Sequence, residues 1–196
     1  MRLLALVIAA GCATTAVAPP ANRAVGTSVA MPGDSIPHAG DPSARVVIVS
    51  YFNYRCPHCI AFEPKLDTIA ETYGNRVVIY FKWLQLKQWP EADRAAIAAL
   101  AAHRQRRFFD MHRLLLTATS FEAADLRKLA AKLGLDLARY DRDVADTKLR
   151  DRLDQDTRDG EGVEVDHVPM LFINDVEYKG ELELPALAQF IDGKLR

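Results

Sequence analysis

The sequence predicts an α/β domain in the order βαβ, a helical block, then ββα. Three observations carry this. Two apolar runs with β-branched residues, 44–52 and 76–83, flank a stretch with helical spacing. The middle of the chain, from about 90 to 160, repeats apolar residues at helical intervals between charges. The last part holds two short strand patterns around Asn174-Asp175, then a helical pattern.

The first forty residues stand apart from that domain. Met1-Arg2 and the apolar run "LLALVIAA" fit a secretory signal, and the run is too short to span a bilayer. "AAGC" resembles a bacterial lipobox, which makes Cys12 the expected lipidation site and residues 1–12 the signal. A competing cut after "AVA" (16–18) would be followed by Pro19, which impedes ordinary cleavage. Residues 13–40, rich in Ala, Pro, Gly, Ser and Thr, read as a flexible tether. The domain proper is expected over 41–196. A formal charge of −1 gives no basic face for nucleic acid.

Within the domain, "ARVVIVSYF" reads as a buried strand, and Pro57 suits the first position of a helix. Phe62, Leu66, Ile69, Ala70 and Tyr73 continue that helix, which Gly74 ends. "RVVIYFKW" is the second strand. The block from Pro90 begins with an Ala/Ile/Leu stripe. "RRFFDMHRLLL" follows, with Phe108, Met111, His112 and Leu115 on one face, read as core. Thr119 and Glu122 have the spacing of a capping box for a helix that Gly134 ends. Between 136 and 159 the apolar spacing slips after Val144, which predicts two short helices. "MLFIN" (170–174) and "VEYK" (176–179) form a hairpin, and "LPALAQFIDGKL" is the closing helix.

"YFNYRCPHCIAFEP" (51–64) puts Cys56 and Cys59 at the start of the first helix. Zinc would need four ligands, yet there is no second cysteine pair, and His38, His103, His112 and His167 are scattered. A structural staple gains little from so short a loop. Helical neighbours also stand ~5–6 Å apart at Cβ, wider than the roughly 3.5–4.5 Å a disulfide prefers. A redox couple remains. Cys56 meets the unpaired N–H groups and positive dipole end of the helix, which favour a thiolate. Cys59, one turn in, serves as the resolving thiol. Pro57 and His58 lie between them, and His58, as donor or cation, adds to the thiolate's stability. A stabilised thiolate makes the disulfide the stronger oxidant, so the pair reads as a disulfide donor. A Cys-x-x-Cys within a βαβ unit is the pattern of a thioredoxin-like site.

From about Gly40 to Gly193 the chain resembles the DsbA-type thiol–disulfide oxidoreductases, which have a thioredoxin-like fold with an inserted helical subdomain. "YFNYRCPHCIAFEP", "FKWLQL", "FFDMHRLLL" and "VPMLFIN" carry the resemblance in the family's order. It implies that Cys56 is an exposed nucleophile, that Cys59 is buried, and that Pro169 is a cis-proline facing them. It also implies that the Val168 backbone meets substrate and that Glu63 assists proton transfer. Two positions depart from the family: Asn53 stands where many relatives have aspartate, and His167 where glycine is common. His167 therefore bears on access to the site loop, or adds an imidazole near the sulfurs.

The expected function is an exported thiol oxidase of the bacterial cell envelope. It is lipid-anchored or soluble in the periplasm, with no metal and no cofactor beyond its own Cys56–Cys59 disulfide. Its expected partners are reduced exported proteins and a DsbB-type quinone-linked membrane oxidase. No added dimerisation segment is seen, so a monomer is expected. The alternatives are a periplasmic disulfide reductase or isomerase, and a peptide-binding lipoprotein with idle thiols.

Overall fold

The structure is a computed structural model that describes residues 36–196. The signal, Cys12 and most of the tether lie outside the described residues. Five strands form one sheet in the order β1-β3-β2-β4-β5. β2 (Val46–Phe52) and β3 (Val77–Trp83) are its parallel centre, with Val46 opposite Val77 and Phe52 opposite Trp83. Each buries nearly every residue on both faces, which explains their unbroken apolar character.

α1 (Pro57–Tyr73) crosses between them and buries Cys59, Phe62, Glu63, Leu66, Ile69 and Tyr73, the i, i+3, i+4 face. Gly74, at φ 54°, caps it by donating its N–H to the Ala70 carbonyl. Pro64 sits inside α1, where it has no N–H for the carbonyl one turn back.

Five helices separate β3 from β4: α2 (Ala92–His103), α3 (Phe108–Leu116), α4 (Ala123–Lys132), α5 (Leu137–Ala145) and α6 (Thr147–Gly162). α2 is the centre of this block. Ala92 and every residue from Ala95 to Ala102 are buried, because alanine lets neighbours approach from all sides. The slip after Val144 is a helix break: Asp146 ends α5 and caps α6, its side chain accepting from the Lys148 N–H. The capping box expected of Thr119 and Glu122 does not form. Ser120 accepts the Glu122 N–H instead (3.2 Å), while the Glu122 carboxylate reaches 2.6 Å to Arg94.

β4 (Met170–Ile173) runs antiparallel to β2, and β5 (Val176–Glu177) closes the far edge before α7 (Leu184–Leu195). Asn174 and Asp175 both take positive φ, 47° and 64°, as a two-residue hairpin of this kind requires. The Asn174 Oδ1 also accepts the Val47 N–H at 2.8 Å.

The domain begins earlier than composition implies. Ile36 is buried, and His38–Gly40 form β1, antiparallel to β3. Residues 38–40 are therefore part of the sheet, and buried Ile36 belongs to the domain and not to the tether. Gly40 fits there because a Cβ would lie 2.2 Å from the Val77 carbonyl oxygen, at a φ of 93°. Two apolar layers result. One holds α1, α7 and most of the inserted block, down to Leu149 and Leu153 of α6; the other, on the opposite face, holds Val49, Tyr51, Tyr80, Leu84, Val165 and Phe172, with the C-terminal half of α6 against it at Gly160.

Candidate active site

Two loops meet beyond the end of β2: the β2–α1 turn with the cysteines, and the segment leading into β4. The turn is set by Asn53. Its Oδ1 accepts the Arg55 N–H (2.9 Å), its Nδ2 donates to the Leu84 carbonyl (3.0 Å), and its own carbonyl accepts the Cys56 N–H (3.0 Å). The donation to Leu84 needs the amide, so asparagine here ties the cysteine turn to the end of β3. Arg55 covers the turn from outside. It pairs with Glu91 at 3.1 Å and lies 4.1 Å over the Phe121 ring, linking the turn to the insertion.

Cys56 is the N-cap of α1, with extended backbone, and Pro57 follows as the first helical residue. Both cysteines are free thiols. The Cys59 N–H donates to Cys56 Sγ at 3.4 Å, and the Cys56 thiol donates to the Val168 carbonyl at 3.3 Å. Val168–Pro169 is a cis peptide, and Pro169 is buried beside it. Cys56 is less open than expected: it is 4% exposed, covered by the loop that receives its thiol. Cys59 is fully buried, and that burial pushes its thiol well above the ordinary range; Cys56 and Glu63 add to the rise.

His58 lies exposed at the second helical position. His167 is exposed too, and its Nδ1 pairs with Asp166 at 2.6 Å. That bond holds the Asp166 carboxyl below its usual range. The His167 ring is thus solvent-facing and held by its neighbour in the loop.

Glu63 is only 4% exposed, one turn beyond Cys59 on the same face of α1. Its Oε2 meets His112 Nε2 at 3.1 Å, and the other ring nitrogen meets the Tyr54 hydroxyl at 2.9 Å. Tyr54 is buried, which pushes its phenol well above the ordinary range, so it keeps its proton. With that proton donated to His112 Nδ1, the ring's Nε2–H is left to donate to Glu63. Glu63 Oε1 is buried with no hydrogen-bond partner. The roles of His112 and Tyr54 are invisible to helical spacing, which places His112 among core residues. One signal does exist. Glu63 and His112 are lone polar residues on two otherwise apolar helix faces, and a buried polar group requires a partner.

Among the described residues, no group of three or more His, Cys, Asp or Glu is placed to hold a metal ion. Among them, too, no helix is long and apolar enough to cross a membrane.

The sequence matches the family described as thioredoxin over residues 34–193. A Na(+)/H(+) antiporter NhaA 1 from Mycobacterium sp. (strain KMS) is 29% identical over 157 residues, 78% of this chain and 26% of that protein. The chain thus spans about a quarter of the length of the antiporter relatives it matches. The thiol:disulfide interchange protein DsbA of Bordetella parapertussis is 27% identical over 182 residues, 86% of this chain and 80% of that one. Among solved structures, a thioredoxin-like oxidoreductase from Silicibacter pomeroyi superposes with a TM-score of 0.72. It is 21% identical and covers 83% of this chain and 92% of its own.

Proposed function

The chain belongs to the thioredoxin family, and on that premise we propose that it is a DsbA-type thiol–disulfide oxidoreductase that oxidises exported proteins. The observation that carries this reading is Cys56 Sγ at the N-cap of α1, receiving the Cys59 N–H while its redox partner is buried one turn below. The dipole end and the unpaired N–H groups favour sulfur as an anion there. His58, exposed on the same turn, adds a further donor. Stabilising that thiolate stabilises the dithiol form and makes the disulfide oxidising.

The reaction moves two electrons from a substrate dithiol to the Cys56–Cys59 disulfide. A substrate thiolate attacks Cys56 Sγ, the Cys56–Cys59 bond breaks, and Cys59 leaves and takes up a proton. A mixed disulfide then joins Cys56 to the substrate. The second substrate thiol loses its proton and attacks the substrate sulfur of that bond. Cys56 leaves as thiolate, and the substrate carries away a new disulfide. The Val168 backbone aligns an extended substrate chain, a role its carbonyl's contact with the Cys56 thiol supports. Glu63 is the group nearest in kind to a proton acceptor for Cys59. Reoxidation requires a two-electron acceptor, and a quinone-linked membrane oxidase of DsbB type supplies one. The site of action is extracytoplasmic, with the domain tethered through lipidated Cys12 and working as a monomer.

Titration of the Cys56–Cys59 couple against glutathione tests the direction. The expected potential lies near the oxidising end of the family, about −120 mV, and a value near thioredoxin's, about −270 mV, assigns a reductase instead. Cys56→Ser is expected to abolish oxidation of a reduced model substrate. Retained function in cells would assign the peptide-binding role.

A further inference from the structure

His112 comes from the inserted helices, yet its polar contacts all point back to the thioredoxin-like half. α3 buries Phe108, Met111, His112 and Leu115 on one face. The imidazole stacks on Phe108 (centroids 5.3 Å apart, 24° between planes), meets Phe52 edge-to-face and lies tilted against Phe81. An imidazole in so aromatic a setting is oriented by its two hydrogen bonds, to Tyr54 on one side and Glu63 on the other. Glu63 in turn lies one helical turn from Cys59, acts on it electrostatically, and keeps Oε1 without a hydrogen-bond partner.

The titratable groups facing Glu63 are few. Cys59 comes from α1, Tyr54 from the β2–α1 turn, and His112 from α3. β3 contributes Phe81 and Trp83 to this side, while its Lys82 points to the opposite face of the sheet and pairs with Asp156 and Asp159. No lysine or arginine hydrogen-bonds or pairs with Glu63 among the described residues. The carboxylate therefore has one strong donor, the Nε2–H of His112.

We propose that His112 is a positioning residue for the thiol chemistry: its Nε2–H holds the Glu63 carboxylate in place to take the proton of Cys59. The inference rests on reading Cys56–Cys59 as a redox couple. In reoxidation, the Cys59 thiol passes its proton to Glu63, and the resulting thiolate attacks Cys56 Sγ in a mixed disulfide. The Cys56–Cys59 bond forms, the mixed disulfide breaks, and the leaving group departs with the electron pair of that bond. Glu63 then releases the proton to solvent. Without the donor on Oε2, the protonated carboxyl is favoured, because a hydrogen bond to the charged form is lost. The base then disappears at a higher pH.

The test uses the reduced full-length protein and 5,5′-dithiobis(2-nitrobenzoate) in a stopped-flow instrument, from about pH 5 to pH 9. The first nitrothiobenzoate released reports attack by Cys56, and the second reports resolution by Cys59. His112→Leu is expected to slow the second phase about tenfold or more at neutral pH and to move its acidic limb upward. The first phase is expected to stay within about twofold. His112→Gln, whose amide reaches the Nε2 position, is expected to restore the second phase. His112→Asn, whose amide reaches only the Nδ1 position, is not. The Gln and Asn pair decides the matter even where the leucine variant fails to fold. Equal second phases with unshifted pH profiles in the Gln and Asn variants would overturn the role of His112. With both phases present in the wild type, that result would overturn the role of His112 alone and leave the redox couple standing. Absence of both phases in the wild type would overturn the couple and this inference with it.

Discussion

Two buried polar clusters sit on opposite faces of the same sheet, and they differ in how their charge is met. On one face, Lys82 of β3 is fully buried with Asp156 and Asp159 of α6, and Arg152 reaches 2.6 Å to Asp156. Two cations face two carboxylates, so the cluster is balanced and fastens α6 to the sheet. On the other face, Glu63 meets only the imidazole of His112, which Tyr54 fixes from behind. Each cluster leaves one carboxylate oxygen without a partner, Asp156 Oδ2 and Glu63 Oε1. What separates them is the counter-charge. A carboxylate flanked by Lys82 and Arg152 is an anchor, whereas a carboxylate with a thiol one turn away and no lysine or arginine paired to it is available to a proton.

The comparison can be broken most strongly at Lys82. Lys82→Met leaves Asp156 and Asp159 without their shared cation and is expected to cost about 3–5 kcal/mol in chemical denaturation. The potential of the cysteines in the folded fraction should not move, since the lysine points away from them. A changed potential would show that the two faces are coupled.

Asp156 offers the next largest effect. Burial pushes its carboxyl from 3.8 up to about 6, against the pull of Arg152 and Lys82. Between about pH 4 and 6 the unfolded chain has lost this proton while the folded chain still holds it. The folded state binds more protons there, so this residue's contribution to stability falls as pH rises through that window. Asp156→Asn removes the dependence. Relative to wild type, the variant should gain about 3 kcal/mol between the ends of the window, read from melts at a series of pH values. A constant difference would mean that Asp156 is ionised throughout.

The smallest effect belongs to Tyr54. Tyr54→Phe deletes the hydroxyl that orients His112, with an expected loss of about 1 kcal/mol. It should slow the resolving thiol less than His112→Leu does, because the donor to Glu63 remains. An equal slowing would make Tyr54 and His112 a single unit.

Elements built on local pattern were legible in the sequence. The apolar runs of β2 and β3, Pro57 at the start of α1, Gly74 at its end, the break at Asp146 and the Asn174-Asp175 turn all follow from short-range rules. So does the placing of the cysteine pair at a helix start. Features set by distant partners were not legible. β1 has three residues and no pattern of its own, and it exists because Gly40 lets it lie against Val77. The capping box at Thr119 and Glu122 lost its carboxylate to Arg94, twenty-eight residues earlier. Lys82 reads as one charge in a strand, and Glu63 and His112 as separate residues forty-nine positions apart. Burial of Cys56 depends on a loop that arrives 112 positions later.

The sheet's borders have a consequence of a different kind. Its outermost strands, β1 and β5, are only three and two residues long. A long unpaired border would offer a row of open N–H and C=O groups to any extended chain nearby. On the function proposed above, the domain meets such chains continually. Short borders leave little to template on, so its clients can be gripped at the cysteine loop and released without being stitched into the sheet.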